Sequence, residues 1–267
     1  MSDVWNQTYN DCPYYEDACK LKQCHCPKYK AYKDVQNPEI VAQILKENNF
    51  DTSLEPWDLL ITMQASFASR IRDLDVITKH DIDVWIDRFL VCIDDEVSEI
   101  REYLDIYSTH YLNKKNTLDF KKEVIDVLHF VLELFITCHV TKEKIREVYG
   151  KLYGDLGNGD IIECAYHKQA KTIDKYLYTE NDASQDITIL KASCKILDAC
   201  SKVRKYISWK HWKQPSETIE YDKLYESFVT VFFEFINLCI LTMKVDEIKD
   251  IYVQKNVENI LRQKYGY

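Results

Sequence analysis

The sequence predicts an all-α protein built as a bundle of amphipathic helices. Only five glycines and five prolines occur in 267 residues, too few for the many turns of a β-sandwich. Four of the glycines lie between residues 150 and 159, so the chain on both sides is uninterrupted over long stretches. Apolar residues recur there every three or four positions, which is the spacing of one buried helix face.

The expected helices follow a polar head, rich in cysteine and tyrosine, that comprises residues 1–51. Leu59–Ile71 is the first, with Ser53 or a neighbour as its N-cap. Thr141 has the character of a second capped start, from which a helix runs to the glycine cluster. The remaining helices are expected at about 81–107, 120–140, within 161–178, and at 187–207, 220–242 and 245–263.

Two parts of the chain match each other at a constant offset of 103 positions. Glu96–Tyr103 reads EVSEIREY and Ala199–Tyr206 reads ACSKVRKY, so a serine, an arginine and a tyrosine recur in register. The same offset relates Glu123 to Glu226 without a gap. The match predicts an internally duplicated helical-hairpin unit that forms a pseudo-dimeric four-helix core. The expected divisions are a head (1–51), a first repeat (52–150), a connecting segment (151–186) and a second repeat (187–267).

Acidic side chains are the feature that the second copy does not keep. Glu96, Glu99 and Asp126 are replaced there by Ala199, Lys202 and Val229. Glu96 and Glu99 lie three residues apart on one helix, as do Glu123 and Asp126 on the next, so each pair projects from one side of its helix. If these helices pack antiparallel, four carboxylates converge on one groove, and such an oxygen-rich cluster suits Mg²⁺. Solvated surface glutamates are the alternative, which the unequal copies disfavour.

Composition excludes several classes of function. A net charge of −9 argues against binding a nucleic-acid polymer. No apolar run is long enough to span a bilayer, and the first ten residues have no signal-peptide pattern. Ten cysteines without secretion features predict a reducing, cytoplasmic setting. Zinc could bind in the head, but irregular spacing favours unligated thiols at Cys12, Cys19, Cys24 and Cys26.

Several motifs together resemble one enzyme family. The Glu-x-x-Glu and Glu-x-x-Asp pairs are similar to those of the all-α nucleoside triphosphate pyrophosphatases, the MazG-like superfamily. Val124–Leu132 resembles the VDxxHFxL signature of the dimeric dUTPases. Cys92–Glu96 and the ending Lys255–Tyr267 are similar to the bacteriophage dCTPase–dUTPase branch. Met63–Ile71 resembles the opening helix of the family, and Ser208–Lys213 resembles its tryptophan–lysine motif.

The resemblance implies a Mg²⁺-dependent hydrolase that converts dUTP, with dCTP as a further substrate, to the monophosphate and pyrophosphate. Glu96, Glu99, Glu123 and Asp126 would be its catalytic residues and would hold two or more metal ions. Gln64 offers an amide that can both donate and accept, as reading a pyrimidine edge requires. The expected substrate-binding residues are Gln64, Trp209, Lys210, Lys213, Lys255, Asn256, Asn259 and Arg262.

One departure from the family pattern shapes the expected site. The tryptophan–lysine motif and the basic tail occur only in the second copy, whereas the acids occur in the first. The chain is therefore interpreted as a fused dimer with one surviving site, where acids of one copy and cations of the other meet around a triphosphate. His129 is expected to be a satisfied core histidine, because it lies within an apolar helix.

Alternative functions stay open at this point. Another deoxynucleotide such as dATP or dGTP could be the substrate, because pocket shape is not readable from sequence. A helical protein could also bind nucleotide only to sense it, or the chain could be a protein-interaction module. The expected partner is a free deoxynucleoside triphosphate, with no nucleic-acid polymer and no membrane. We expect a monomer or homodimer in the cytoplasm, which would be the host cytoplasm for a phage-encoded protein.

Overall fold

A computed structural model describes residues 27–72, 79–104, 118–173, 185–207 and 220–266. These residues form α-helices and contain no strand, so the all-α prediction is confirmed. The helices of the described part are α1 Pro27–Asp34, α2 Pro38–Glu47, α3 Pro56–Ala68, α4 Lys79–Glu102, α5 Leu118–Thr137, α6 Lys142–Tyr153, α7 Ile161–Ala170, α8 Gln185–Val203, α9 Tyr221–Thr242 and α10 Val245–Lys264.

The chain divides into two compact units, one of residues 1–51 and 254–267 and the other of residues 52–253. In the smaller unit, the hydroxyl of Tyr265 donates to Asp34 at 2.6 Å. The Lys30 ammonium lies 4.1 Å from the centre of the same tyrosine ring. The larger unit contains α3 to α9 and the beginning of α10, and it carries all four predicted carboxylates.

Local sequence explains where the helices of the larger unit begin and end. Helix α3 begins at Pro56, whose fixed φ suits a first helical position, and its N-cap is Glu55 without a side-chain cap bond. Of the two alternatives, Ser53 or a neighbour, the structure therefore has the neighbour Glu55 at the N-cap, and the helix starts earlier than Leu59. Thr141 caps α6 as expected, because its side chain accepts a hydrogen bond from the Lys144 amide.

The middle glycines act less as breakers than expected. Helix α6 continues through Gly150 to Tyr153 and ends at Gly154, whose φ of 88° lies in the left-handed region that favours glycine. The connecting segment then forms α7. Its N-cap Asp160 accepts from two amides of that helix and, at 2.7 Å, from the Trp57 amide at the start of α3. One buried carboxylate thus joins the N-termini of two helices.

Two helix pairs form the centre of the larger unit. Helix α4 packs on α5, α8 packs on α9, and the pairs meet through α5–α9 and α4–α8 contacts. Helices α5 and α9 begin 103 residues apart, as do α6 and α10. This spacing is what the predicted duplication requires, and the duplication itself stays a prediction. The aromatic centre of the bundle has Trp57 edge-on to both Phe135 and Phe232.

Contrary to the expectation that no apolar run is long enough to span a bilayer, helix α9 is long and apolar enough by length and composition alone, and α5 with α6 would also qualify as one bent span. In the described structure α9 packs against α5, α6, α7 and α8. Burial among these helices accounts for its apolar character, because a helix that is surrounded by others needs few polar residues.

Candidate active site

Three of the predicted carboxylates converge where α4 packs against α5. One oxygen from each of Glu96, Glu99 and Glu123 lies within 4.8 Å of the others, and all three residues are half-buried. We call these residues the acid cluster. Carboxylate oxygens at this spacing, partly open to solvent, are donors that Mg²⁺ prefers. The donor set therefore fits the metal that the sequence predicts.

Asp126, the fourth predicted ligand, lies one helical turn beyond Glu123 and does not join that group of three. It is buried, and its Oδ1 lies 4.0 Å from Nε2 of His129 on the same helix. Its role as a metal ligand stays a prediction. Along helix α5, Asp126 lies between Glu123 of the acid cluster and the buried His129.

Two side chains near the acid cluster have raised pKa values, in part because of the negative charge around them. Burial raises the pKa of the Tyr103 hydroxyl, and the negative charges of Glu123, Asp119 and Glu99 raise it further. Burial likewise raises the pKa of the Cys92 thiol, with Asp95 and Glu96 adding to the effect. A bound cation would relieve this accumulation of like charge.

Gln64 lies at the centre of a buried hydrogen-bond network. The side chain is 3% exposed, and its Oε1 accepts from the Tyr252 hydroxyl at 2.7 Å. The same oxygen lies 2.7 Å from Nδ1 of His129, which must donate there, while the amide Nε2 donates to Glu133 at 2.7 Å. The rings of His129 and Tyr252 stack at 4.2 Å. The amide that the sequence assigned to the pyrimidine is therefore already engaged within the protein.

An ion pair completes the Gln64 network. Arg72 lies 2.5 Å from Glu133 and also donates to Thr137, and both charged side chains are 6% exposed. The guanidinium sits over the rings of Trp85 and Phe89. Burial raises the pKa of the Glu133 carboxyl, while Arg72 and the Gln64 amide oppose that rise. Sequence reasoning missed Arg72, Glu133 and Tyr252, although an acid between Leu132 and Leu134 in an apolar helix was a usable signal.

The predicted tail residues lie on α10, in the smaller unit. Lys255 and Asn256 are buried, and Asn259 is half-buried. Arg262 donates to Glu258, one turn earlier on the same helix. Burial of polar side chains is unusual for an ordinary helix end, which is mostly solvated. Contact between this tail and the acid cluster stays a prediction.

Other predicted residues lie outside the described part of the chain. Trp209, Lys210 and Lys213 fall in the gap between residues 207 and 220. The cysteines considered for zinc precede residue 27, so that alternative stays untested as well. These are Cys12, Cys19, Cys24 and Cys26.

Comparison with known proteins gives one finding. A family model described as dUTPase matches residues 56–267, which is most of the chain. The matched region includes the acid cluster, Asp126, the Gln64 network and the tail, and it excludes the cysteine-rich head. No curated protein and no solved structure matches the chain.

Proposed function

The chain belongs to this dUTPase family, and from that premise we propose that it hydrolyses dUTP to dUMP and pyrophosphate with Mg²⁺ as cofactor. The observation that carries the proposal is the acid cluster of Glu96, Glu99 and Glu123, which lies within the matched region. The family match supports the dimeric dUTPase resemblance of the α5 motif. Membership in the wider MazG-like superfamily stays a prediction.

The acid cluster, together with Asp126, would hold two or more Mg²⁺ ions. Ions bound there would neutralise the charge of the phosphates and lower the pKa of a bound water. In the reaction, the oxygen of one water bonds to the α-phosphorus and the bond from that phosphorus to the α–β bridging oxygen breaks. Pyrophosphate leaves with the bonding electrons, and the protons of the water pass to solvent and products.

The remaining predicted residues would bind the substrate. We propose that Lys255, Asn259 and Arg262 neutralise the departing phosphates and that Asn256 supports them. We assign contacts with the nucleotide to Trp209, Lys210 and Lys213. These assignments extend the family resemblance, and each can be tested by substitution.

Gln64 would select the base. Within the Gln64 network, Glu133 accepts from Nε2, while Tyr252 and His129 both donate to Oε1. A uracil or cytosine edge would have to exchange with one of these partners, and an amide can serve either base because it donates and accepts. We therefore propose dCTP as a further substrate. In this proposal His129 orients Gln64 through the contact of its Nδ1 with Oε1.

The setting follows from the family and the composition. We propose that the protein acts on free nucleotides in the cytoplasm, or in the host cytoplasm if a phage encodes it, as a monomer or homodimer. An acidic chain with a net charge of −9 is suited to small substrates that bring metal ions with them rather than to a nucleic-acid polymer.

The test is a pyrophosphate-release panel with the full chain and each common deoxynucleoside triphosphate. We expect release from dUTP with Mg²⁺ and none with EDTA. Glu99→Gln is expected to lower kcat/KM at least about 100-fold, as loss of one group that stabilises transition-state charge does. Glu102→Gln, one turn further along α4 and exposed, is the matched control. Unchanged turnover in Glu99→Gln, or nucleotide binding without pyrophosphate, would contradict the proposal, and the latter would favour a nucleotide sensor.

A further inference from the structure

A pocket lies in the larger unit, and the acid cluster contributes no residue to its lining. Its volume is about 530 Å³, within the range of small-molecule sites. Helices α6, α7, α8 and α9 supply the lining, with Gln169 at the buried end. We call this cavity the Gln169 pocket.

The Gln169 pocket contains a glutamine–tyrosine hydrogen bond, as the Gln64 network does, but with the opposite donor. Gln169 is the ninth residue of α7, as Gln64 is the ninth residue of α3. Its Nε2 donates to the Tyr149 hydroxyl at 2.9 Å, whereas Oε1 of Gln64 accepts from the Tyr252 hydroxyl at 2.7 Å. Tyr149 and Tyr252 are 103 residues apart. The two tyrosines thus correspond at the 103-residue offset, and each of them bonds a buried glutamine.

Charge distinguishes the two places. Among the described residues that line this pocket, Glu234 alone carries a carboxylate, so the lining lacks a group of three carboxylates like the acid cluster. Two lysines line it instead. The Lys168 ammonium donates to the Asp155 carbonyl at 2.6 Å, and Lys195 makes no hydrogen bond or ion pair with the residues that the structure describes.

The other groups of the pocket suit a planar heterocycle. Oε1 of Gln169 is buried and accepts no hydrogen bond from the described residues, so a donor supplied by a ligand would satisfy it. The rings of Tyr153 and Phe233 lie parallel with their centres 3.8 Å apart and form an aromatic wall. The carboxylate of Glu234 accepts from Asn237 at 3.0 Å.

We propose that the Gln169 pocket binds a nucleoside monophosphate without a metal ion. The base lies against the Tyr153–Phe233 wall and within reach of Gln169, and the phosphate lies against Lys168 and Lys195. A monophosphate carries about two negative charges at neutral pH, which two lysines match. This assignment rests on the proposed function only in its choice of dUMP, the expected product, as the probe.

The test measures dUMP binding to the full chain in EDTA, by calorimetry. We expect saturable binding that Lys195→Glu weakens at least tenfold and Lys195→Gln weakens less. Lys205→Glu makes the same charge change at an exposed lysine just beyond α8 and is expected to leave binding unchanged. Deoxyuridine and inorganic phosphate, as separate probes, are expected to bind more weakly than dUMP.

Two results would overturn the inference. One is no binding of dUMP in EDTA. The other is binding that survives both Lys195 substitutions and is lost in Gln64→Met, because dUMP would then occupy the place assigned to the substrate. Pyrophosphate release is measured independently with Mg²⁺, so failure of the proposed hydrolysis and failure of this second site give different results.

Discussion

The Gln64 network and the Gln169 pocket each contain a hydrogen bond between a glutamine and a tyrosine, but most residues around the two bonds differ. His129 and Glu133 surround Gln64, whereas the positions 103 residues later hold Phe232 and Ile236. A buried ion pair is costly unless further hydrogen bonds complete it. The Arg72–Glu133 pair beside Gln64 therefore favours the Gln64 side as the place of the proposed chemistry.

The acidic side chains are also unequally divided between the two matching parts of the chain. The acid cluster lies on the half that carries the Arg72–Glu133 pair, and the other half keeps only Glu226 at the corresponding positions. Glu226 pairs instead with Lys151, whose side chain is 69% exposed. On the two proposals above, a few differences between positions 103 residues apart separate the place proposed for metal-dependent chemistry from the place proposed for binding alone.

Removal of Arg72 should produce the largest loss of stability. Arg72→Met leaves Glu133 buried without its cation, and we expect the free energy of unfolding at neutral pH to fall by about 3–5 kcal/mol. Ile236→Val, at the position that corresponds to Glu133, should cost about 1 kcal/mol. Urea denaturation measures both. Equal costs would remove the distinction between the two halves.

The same variant has a defined pH dependence. Burial raises the pKa of Glu133, so the folded state binds its proton more tightly than the unfolded state does. Stability from this group is therefore present at low pH and is lost as pH rises through the folded-state pKa. The stability deficit of Arg72→Met relative to wild type should therefore shrink as the pH falls from neutral. A deficit that grows on acidification would contradict this account.

Substitution of Gln64 should lower the free energy of unfolding more than substitution of Gln169 does, but the difference should be smaller than that between Arg72→Met and Ile236→Val. Gln64→Met deprives His129, Glu133 and Tyr252 of a partner and should cost about 3 kcal/mol of folding free energy. Gln169→Met removes one bond to Tyr149 and should cost about 1 kcal/mol. Thermal or urea unfolding of the two variants side by side makes the comparison, and a reversed order would show that Gln169 has the larger structural role.

A thiol near the acid cluster should sense a bound cation. Negative charge from Asp95 and Glu96 helps to raise the pKa of Cys92, so Mg²⁺ at the cluster should lower that pKa. A fall of half a unit would increase the thiolate fraction, and hence the alkylation rate, roughly threefold. Peptide mass spectrometry measures the rate at Cys92, with exposed Cys194 as control. An unchanged Cys92 rate at saturating Mg²⁺ would argue that no ion binds there.

Much of the fold could be predicted from sequence because helix formation leaves a local pattern. Thr141 marked the start of α6 through its capping chemistry, and the apolar spacing of α5 located that helix within a few residues. Ser53 is not the N-cap because α3 begins at Pro56, which puts Glu55 in that position. Where several neighbouring residues can begin a helix, the sequence pattern alone does not show which of them does.

The site was predictable only in part, for a physical reason. The spacing within each helix indicated Glu96, Glu99 and Glu123, and the unequal copies indicated Glu96 and Glu99 in addition. Arg72 was missed because its partner Glu133 is 61 residues away, and only packing of the chain brings the two together. Tyr252 was missed for the same reason, since 188 residues separate it from Gln64.

One matched pair of substitutions addresses the central claim most directly. Glu123 and Glu226 correspond at the 103-residue offset, and only Glu123 belongs to the acid cluster. Pyrophosphate released from dUTP with Mg²⁺ should fall at least about 100-fold in Glu123→Gln, as it does when a charge-stabilising group is removed. It should stay near the wild-type rate in Glu226→Gln. Equal activity in the two variants would contradict the assignment of chemistry to the first half of the chain.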